Sequence, residues 1–209
     1  MLRRFLLGIL VVSLASMAWA GVPDLNNSTV TTAAASGASV FALPNGAGTA
    51  FTEAFGAGGA TTDATITLTL IDTNGDPIYL YPFSDLWLET SASGLAYCSG
   101  GTTADASTDE NGQAFWANAV AGGGYSAGET AVVMVAGSPV AGGGVNVTFN
   151  SADISGDLVV NLTDISNFTV LLGGDFSSHP LYAGDFNNDG QINLSDIARF
   201  TPGIGTGCN

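Results

Sequence analysis

The strongest constraint on this chain is an acidic segment that occurs twice. Asp185-Phe186-Asn187-Asn188-Asp189-Gly190-Gln191-Ile192-Asn193-Leu194-Ser195-Asp196 sets side-chain oxygens at places 1, 3 and 5 (Asp185, Asn187, Asp189). Place 7 (Gln191) offers a backbone carbonyl, place 9 (Asn193) ligates directly or through water, and place 12 (Asp196) closes the shell. This spacing wraps oxygens around one point, as a hard cation with six to eight oxygen ligands at about 2.3–2.6 Å requires, and Gly190 at place 6 permits the sharp turn. The pattern recurs 32 residues upstream as Asp153, Ser155, Asp157, Val159, Asn161 and Asp164. Apolar positions repeat with it: Leu162 with Leu194, Ile165 with Ile197, and Phe168 with Phe200. A repeat that carries both ligands and helix positions is an internal duplication. Two Ca²⁺ sites are expected. The Asp185–Asp196 loop should be the tighter, because Leu158 replaces glycine at place 6 of the first, and a left-handed conformation there costs roughly 1–2 kcal/mol or distorts the loop.

A short helix should follow each loop. Leu162–Leu172 puts Ile165, Phe168, Leu171 and Leu172 at three-to-four spacing. Leu194–Thr201 repeats this until Pro202 stops it. Each helix supplies the last ligand of its loop, so metal binding and folding of the unit should be coupled. Over Asp153–Gly207 the chain resembles a dockerin, the duplicated half-EF-hand module of secreted bacterial proteins. That resemblance implies a cohesin-like partner bound on one face of the paired helices. Its recognition positions map to Leu162, Thr163, Leu194 and Ser195, giving two similar faces related by pseudo-twofold symmetry. The chain departs from the pattern at Leu158, and the basic residue common near the helix ends survives only as Arg199.

Upstream the texture is β-like. Residues 21–36 read as a loose leader, residues 37–150 as a β domain and residues 151–209 as the calcium module. Ile66, Leu68 and Leu70 alternate with threonines, the mark of a half-buried strand. Further strands are expected near Val40–Leu43, Thr49–Phe55, Ile78–Tyr81, Leu86–Thr90, Gln113–Ala117, Thr130–Val135 and Val145–Phe149, which argues a β-sandwich. Asp72, Gly75, Pro77 and Ile78, then Thr108, Asp109, Gly112 and Ala114, resemble the two turn motifs of bacterial Ig-like domains of invasin and intimin type. The expected fold class is therefore mainly β: an Ig-like β-sandwich followed by a small helical dockerin-like module.

Residues 1–20 (Arg3, Arg4, an apolar run from Phe5 to Ala18, then Ala18-Trp19-Ala20) read as a secretory signal peptide. An uncleaved anchor is the alternative. Beyond them 18 acidic residues face one base, Arg199, a formal charge of −17. Nothing remains to neutralise phosphates, which excludes sequence-independent nucleic-acid binding, and no later segment has the roughly 20 apolar residues of a membrane span. Cys98 and Cys208 allow one disulfide, two free thiols or intermolecular pairing.

No catalytic constellation stands out. His179, the single histidine, precedes Pro180 between the loops and reads as an exposed turn residue, unfit for a triad. Glu53 and Glu89 are the remaining pair to consider for acid–base work. Tyr79, Tyr81, Trp87, Tyr97 and Trp116 could face a polysaccharide, although aromatic residues in strands are more often packing. Three readings follow: a secreted non-catalytic assembly protein that docks through its calcium module; an adhesin or structural subunit with calcium as internal stabiliser; and a carbohydrate-binding module or small hydrolase carried by the dockerin.

Overall fold

The computed structural model describes residues 21–126 and 128–208, and the expected signal peptide lies outside them. The chain is mainly β. The strands are β1 (Thr29–Thr32), β2 (Ala38–Ala42), β3 (Ala54–Gly56), β4 (Thr61–Thr62), β5 (Ile66–Thr69), β6 (Leu86–Thr90), β7 (Leu95–Tyr97), β8 (Gln113–Trp116), β9 (Gly122–Gly124), β10 (Ala131–Val135), β11 (Ser138–Val145) and β12 (Val147–Ser151). Two helices follow, α1 (Leu162–Leu172) and α2 (Leu194–Phe200). No helix among the described residues is long and apolar enough to cross a membrane.

The strands form small sheets in the orders β1-β5-β8, β11-β10-β6, β12-β2-β3-β4 and β7-β9. Alternation decides their inner faces. Ile66 and Leu68 of β5, Leu86 and Leu88 of β6, and Ala131, Val133 and Val135 of β10 point into one core with Trp116, Phe51 and Phe149. Their neighbours Thr67, Trp87, Glu89, Val132 and Met134 stay half-buried on the outer faces. Between β12 and β2 the pairing is parallel, from Val147 opposite Ala38 to Ser151 opposite Ala42.

Several expectations change. The stretch read as a loose leader supplies β1, which pairs antiparallel with β5 from Thr29 opposite Thr69 to Thr32 opposite Ile66. Its β-branched Thr-Val-Thr-Thr fits a pleated edge. Ile78–Tyr81 is a turn rather than a strand: Leu80 has φ 58°, and the N–H of Leu80 is held by the Thr108 carbonyl at 2.9 Å. Between Val135 and Val145 no strand was expected, yet β11 begins at Ser138 and pairs with β10 through a bulge between Val132 and Met134. The two turn motifs do meet. The N–H of Leu70 donates to the Gly112 carbonyl at 2.8 Å, and the Tyr81 N–H to Thr108 Oγ1 at 2.8 Å.

Cys98 and Cys208 are disulfide-bonded, with Cα atoms 5.6 Å apart. The bond ties the C-terminal tail to the β7–β9 region. The same tail pairs with the first acidic loop, where the Gly205 N–H donates to the Val160 carbonyl at 2.9 Å and the Val160 N–H to that of Thr206 at 2.9 Å.

Candidate metal centre

Both helices begin as the loops require. Asn161 caps α1: its Oδ1 accepts the Thr163 N–H at 2.8 Å, and Asp164 Oδ2 accepts the Asn161 N–H at 2.9 Å. Asn193 and Asp196 repeat the capping box on α2, at 2.8 Å and 2.9 Å. Such caps stabilise a helix by typically about 1 kcal/mol each. Places 9 and 12 of each loop therefore set the helix start as well as the candidate ligand shell.

The loops share one backbone path. Places 4 and 6 are left-handed in both: Gly156 (φ 72°) and Leu158 (67°) in the first, Asn188 (56°) and Gly190 (86°) in the second. Leu158 thus adopts the glycine-like conformation instead of distorting the loop. Asp153 Oδ2 accepts the Leu158 N–H at 2.7 Å, as Asp185 Oδ2 accepts that of Gly190 at 2.8 Å. Asp153 Oδ1 also accepts the N–H groups of Gly156 at 3.0 Å and Asp157 at 3.2 Å.

Candidate ligand and core places are distinct. Places 2 and 8 enter the core: Ile154, Val160 and Phe186 are buried, and Ile192 is partly so. Carboxylates of Asp153, Asp157 and Asp164 converge with one oxygen from each within 4.8 Å of the others, and Asp153 and Asp164 are fully buried. At 4.8 Å two carboxylates repel by about 3.5 kcal/mol at an effective dielectric constant of about 20. Burial pushes Asp153 above the usual carboxylate range, and the Asp164 and Asp157 charges add to that against opposing hydrogen bonds. Asp185 and Asp196 are raised by burial as well. The donors are all oxygen, which suits Ca²⁺ or Mg²⁺ rather than Zn²⁺, and a divalent cation would relieve the repulsion.

Among the described residues only the first loop gathers three carboxylates this closely. In the second, Asp185 and Asp196 are buried while Asp189 is held by Asn187 Nδ2 at 2.9 Å and by the Gln191 N–H at 2.9 Å. Ser155 Oγ donates to Asp153 Oδ1 at 3.1 Å and Asn161 Nδ2 to the Val159 carbonyl at 3.1 Å, so these two oxygens serve protein donors in this arrangement.

The paired repeats pack through equivalent phenylalanines. Phe168 and Phe200 stack at 4.7 Å between centroids, Phe168 and Phe186 at 5.4 Å, and Phe41 of β2 meets Phe186 at 5.0 Å. Of the expected helix faces, Phe168, Leu171 and Phe200 are buried and Ile165 and Ile197 partly so, but Leu172 is 41% exposed. Phe41, Leu43 and Phe55 of the β part belong to this same core cluster.

Sequence reasoning missed how closely the β part holds the loops. Gly123 of β9 lies against Asp153: a methyl built there would overlap Asp153 Oδ2 and stand 2.7 Å from its Cγ. The second loop is tied to the β3–β4 hairpin, where the N–H groups of Gly58 (2.9 Å) and Gly59 (3.0 Å) donate to the Asn188 carbonyl. Asn188 Nδ2 returns a bond to the Phe55 carbonyl at 3.1 Å. The run Gly122–Gly124 has no side chains to mark it in the sequence, and only its tertiary contacts reveal its role.

Leu162 and Leu194, at the first position of each helix, are both 80% exposed, and Thr163 and Ser195 beside them are exposed too. Arg199 instead lies over the Phe55 ring at 4.2 Å, clamping α2 to β3. His179 is half-buried, not free in a turn, with Nδ1 3.1 Å from the Tyr125 hydroxyl. Glu53 borders a cleft beside Arg199, whereas Glu89 is engaged by Trp87 and Tyr97 elsewhere.

No protein-family profile, curated protein or solved structure matches the chain.

Proposed function

We propose that this chain is an exported, non-catalytic assembly protein whose C-terminal loop–helix pair binds two Ca²⁺ and presents a docking face to a cohesin-like partner. The observation that carries this is the duplicated loop with its paired helix starts. Each repeat buries its place-1 and place-12 carboxylates, sends places 2 and 8 to the core, and leaves the leucine that opens its helix on the surface. In this reading the β part is the Ig-like sandwich and the helical part the dockerin-like module. Calcium fixes the loops, the loops fix the helix starts, and the helix starts fix Leu162, Thr163, Leu194 and Ser195.

The test combines metal titration with capture of a cohesin domain. Terbium luminescence or calorimetry should show two sites, and Asp153→Ala with Asp185→Ala should abolish both. Leu162→Asp with Leu194→Asp should leave folding and calcium binding within about 0.5 kcal/mol, as exposed substitutions do, while abolishing capture. Calcium binding without capture of any cohesin would sink the docking half alone.

A second reading has its own support. The helices share a core with Phe41, Leu43 and Phe55, and both loops are hydrogen-bonded or packed against β9 and the β3–β4 hairpin. A unit anchored in this way suits calcium as internal stabiliser of an adhesin or structural subunit. Stabilisation of the β part by calcium with no partner captured is the result that favours it.

A further inference from the structure

Trp116 is only 1% exposed and its indole N–H donates to the Thr102 carbonyl at 2.9 Å, so it cannot serve as a surface platform. Trp87 differs. It alternates outward on β6 with Glu89, and its indole N–H donates to Glu89 Oε1 at 2.9 Å. The Tyr97 hydroxyl donates to the same oxygen at 3.1 Å. One carboxylate oxygen thus fixes both rings and leaves Oε2 without a protein donor among the described residues.

The two rings wall a cleft of about 280 Å³, whose remaining surface includes Ser84, Ser99, Thr102 and Thr103. Its walls are tied together. Trp87 bridges Thr103 in antiparallel fashion, the Leu88 N–H donates to the Thr102 carbonyl at 3.0 Å, and Thr103 Oγ1 to the Gly100 carbonyl at 2.9 Å. Ser99 follows Cys98, which the disulfide holds.

We propose that this cleft binds a neutral saccharide. Aromatic rings offer apolar contact to the C–H faces of a sugar, while the hydroxyl residues of the lining, Ser84, Ser99 and Thr103, meet its rim of O–H groups. A ligand without hydroxyls would leave those polar groups desolvated and unpaired. An acidic glycan is disfavoured by the formal charge of −17 beyond residue 20 and by Glu89 itself. The site lies apart from the acidic loops and does not depend on their binding a metal.

The experiment is affinity electrophoresis of the protein in gels containing hydroxyethyl cellulose, xylan or galactomannan, with polygalacturonate as the acidic comparison. Retardation is expected in at least one neutral gel and not in polygalacturonate. Trp87→Ala should weaken it at least tenfold. Tyr97→Ala removes the second, exposed ring of the same cleft and should weaken it several-fold. Should Trp87→Ala fail to fold, Tyr97→Ala decides alone. No retardation in any neutral gel, or retardation equal to that of the unaltered protein in a folded Trp87→Ala or in Tyr97→Ala, overturns the proposal.

Discussion

Gly123→Ala is the sharpest probe of how the β part and the first acidic loop depend on each other. Gly123 has an ordinary φ, so alanine brings no backbone strain, and its consequence is steric. The added methyl would overlap Asp153 Oδ2 and stand 2.7 Å from Cγ and 3.0 Å from Cβ, against a side chain that is fully buried. Either β9 moves or Asp153 moves. Moving β9 disturbs its pairing with β7, and overpacking of this kind costs typically 1–3 kcal/mol. Moving Asp153 breaks its bonds from Gly156, Asp157 and Leu158, and each hydrogen bond to a charged group contributes about 1.5–3 kcal/mol. The cheaper route sets the loss, so about 2 kcal/mol is expected, or a fall of about 4–8 °C in Tm for a chain of this size. If Asp153 is the part that yields, the first site loses its place-1 ligand, and each 1.4 kcal/mol lost there is tenfold in affinity. Calorimetric calcium titration should then show one site unchanged and one weakened at least tenfold. Two sites of unaltered affinity, with Tm within 1 °C of the parent, would refute both the close approach and the ligand role of Asp153.

Four further outcomes are expected. Leu158→Gly should relieve about 1–2 kcal/mol of left-handed strain against about 0.4–1 kcal/mol of added unfolded-chain entropy; chemical denaturation should show equal or higher stability, and a loss above 1 kcal/mol would show that the half-buried leucine matters more than its φ. Calcium at 1,000 times its Kd should stabilise the chain by about 4 kcal/mol per site, read as a Tm shift abolished by a chelator. That shift should also depend on pH: burial raises Asp153, Asp185 and Asp196 above their unfolded values, so without metal their contribution is present below the unfolded pKa and is lost as pH rises through the folded pKa. The calcium increment should accordingly grow as pH rises through that raised range, whereas the exposed, lowered Asp24, Asp63, Asp72, Asp109 and Asp175 act alike with and without metal and cancel in the difference. Cys98→Ser with Cys208→Ser opens a closure spanning 110 residues, worth on the order of 4–5 kcal/mol in the chain-entropy account, and a Tm unchanged by reduction would count against the bond.

What could be read from the residues follows the range of the forces involved. Helix α1 matches its expected limits, and α2 falls one residue short, because capping and three-to-four apolar spacing are local signals that Asn161, Asp164, Phe168 and their repeats display in full. Strand β5 was legible for the same reason, since its alternation is written in the sequence, and β10 as a short run of apolar, mostly β-branched residues. Strand β11, with its glycines, and β1, in a polar leader, were not: each exists through a partner distant in sequence. Ile78–Tyr81 failed in the opposite sense. Its apolar and aromatic residues satisfy a strand pattern, yet hydrogen bonds to Thr108 draw it into a turn. The acidic loops were found by spacing alone, but the ranking that favoured the second loop rested on a glycine at place 6, whereas Leu158 takes up the same left-handed turn and the closest carboxylate cluster lies in the first.

The two readings of the loop–helix unit make different demands on its surface, and the repeats allow them to be compared. The copies agree at Asp164 and Asp196, Ile165 and Ile197, and Phe168 and Phe200, but differ at the buried Leu171 and Gly203 and at Ser155 and Asn187. At exposed helix positions they have separated, Ser166 against Ala198 and Val170 against Pro202. Leu162 and Leu194 break this rule, being identical and 80% exposed at once. Thr169 and Thr201 also agree while exposed, but each donates its hydroxyl to the carbonyl four residues back at 2.7 Å, which gives them a local role. Among the described residues no side-chain hydrogen bond or core contact accounts for the leucines. An apolar side chain on the first turn of both helices makes sense if something covers it, and stabilisation by calcium alone makes no use of it. The anchoring of the loops thus explains how the face is held, and the leucines are the reason to look for what it holds.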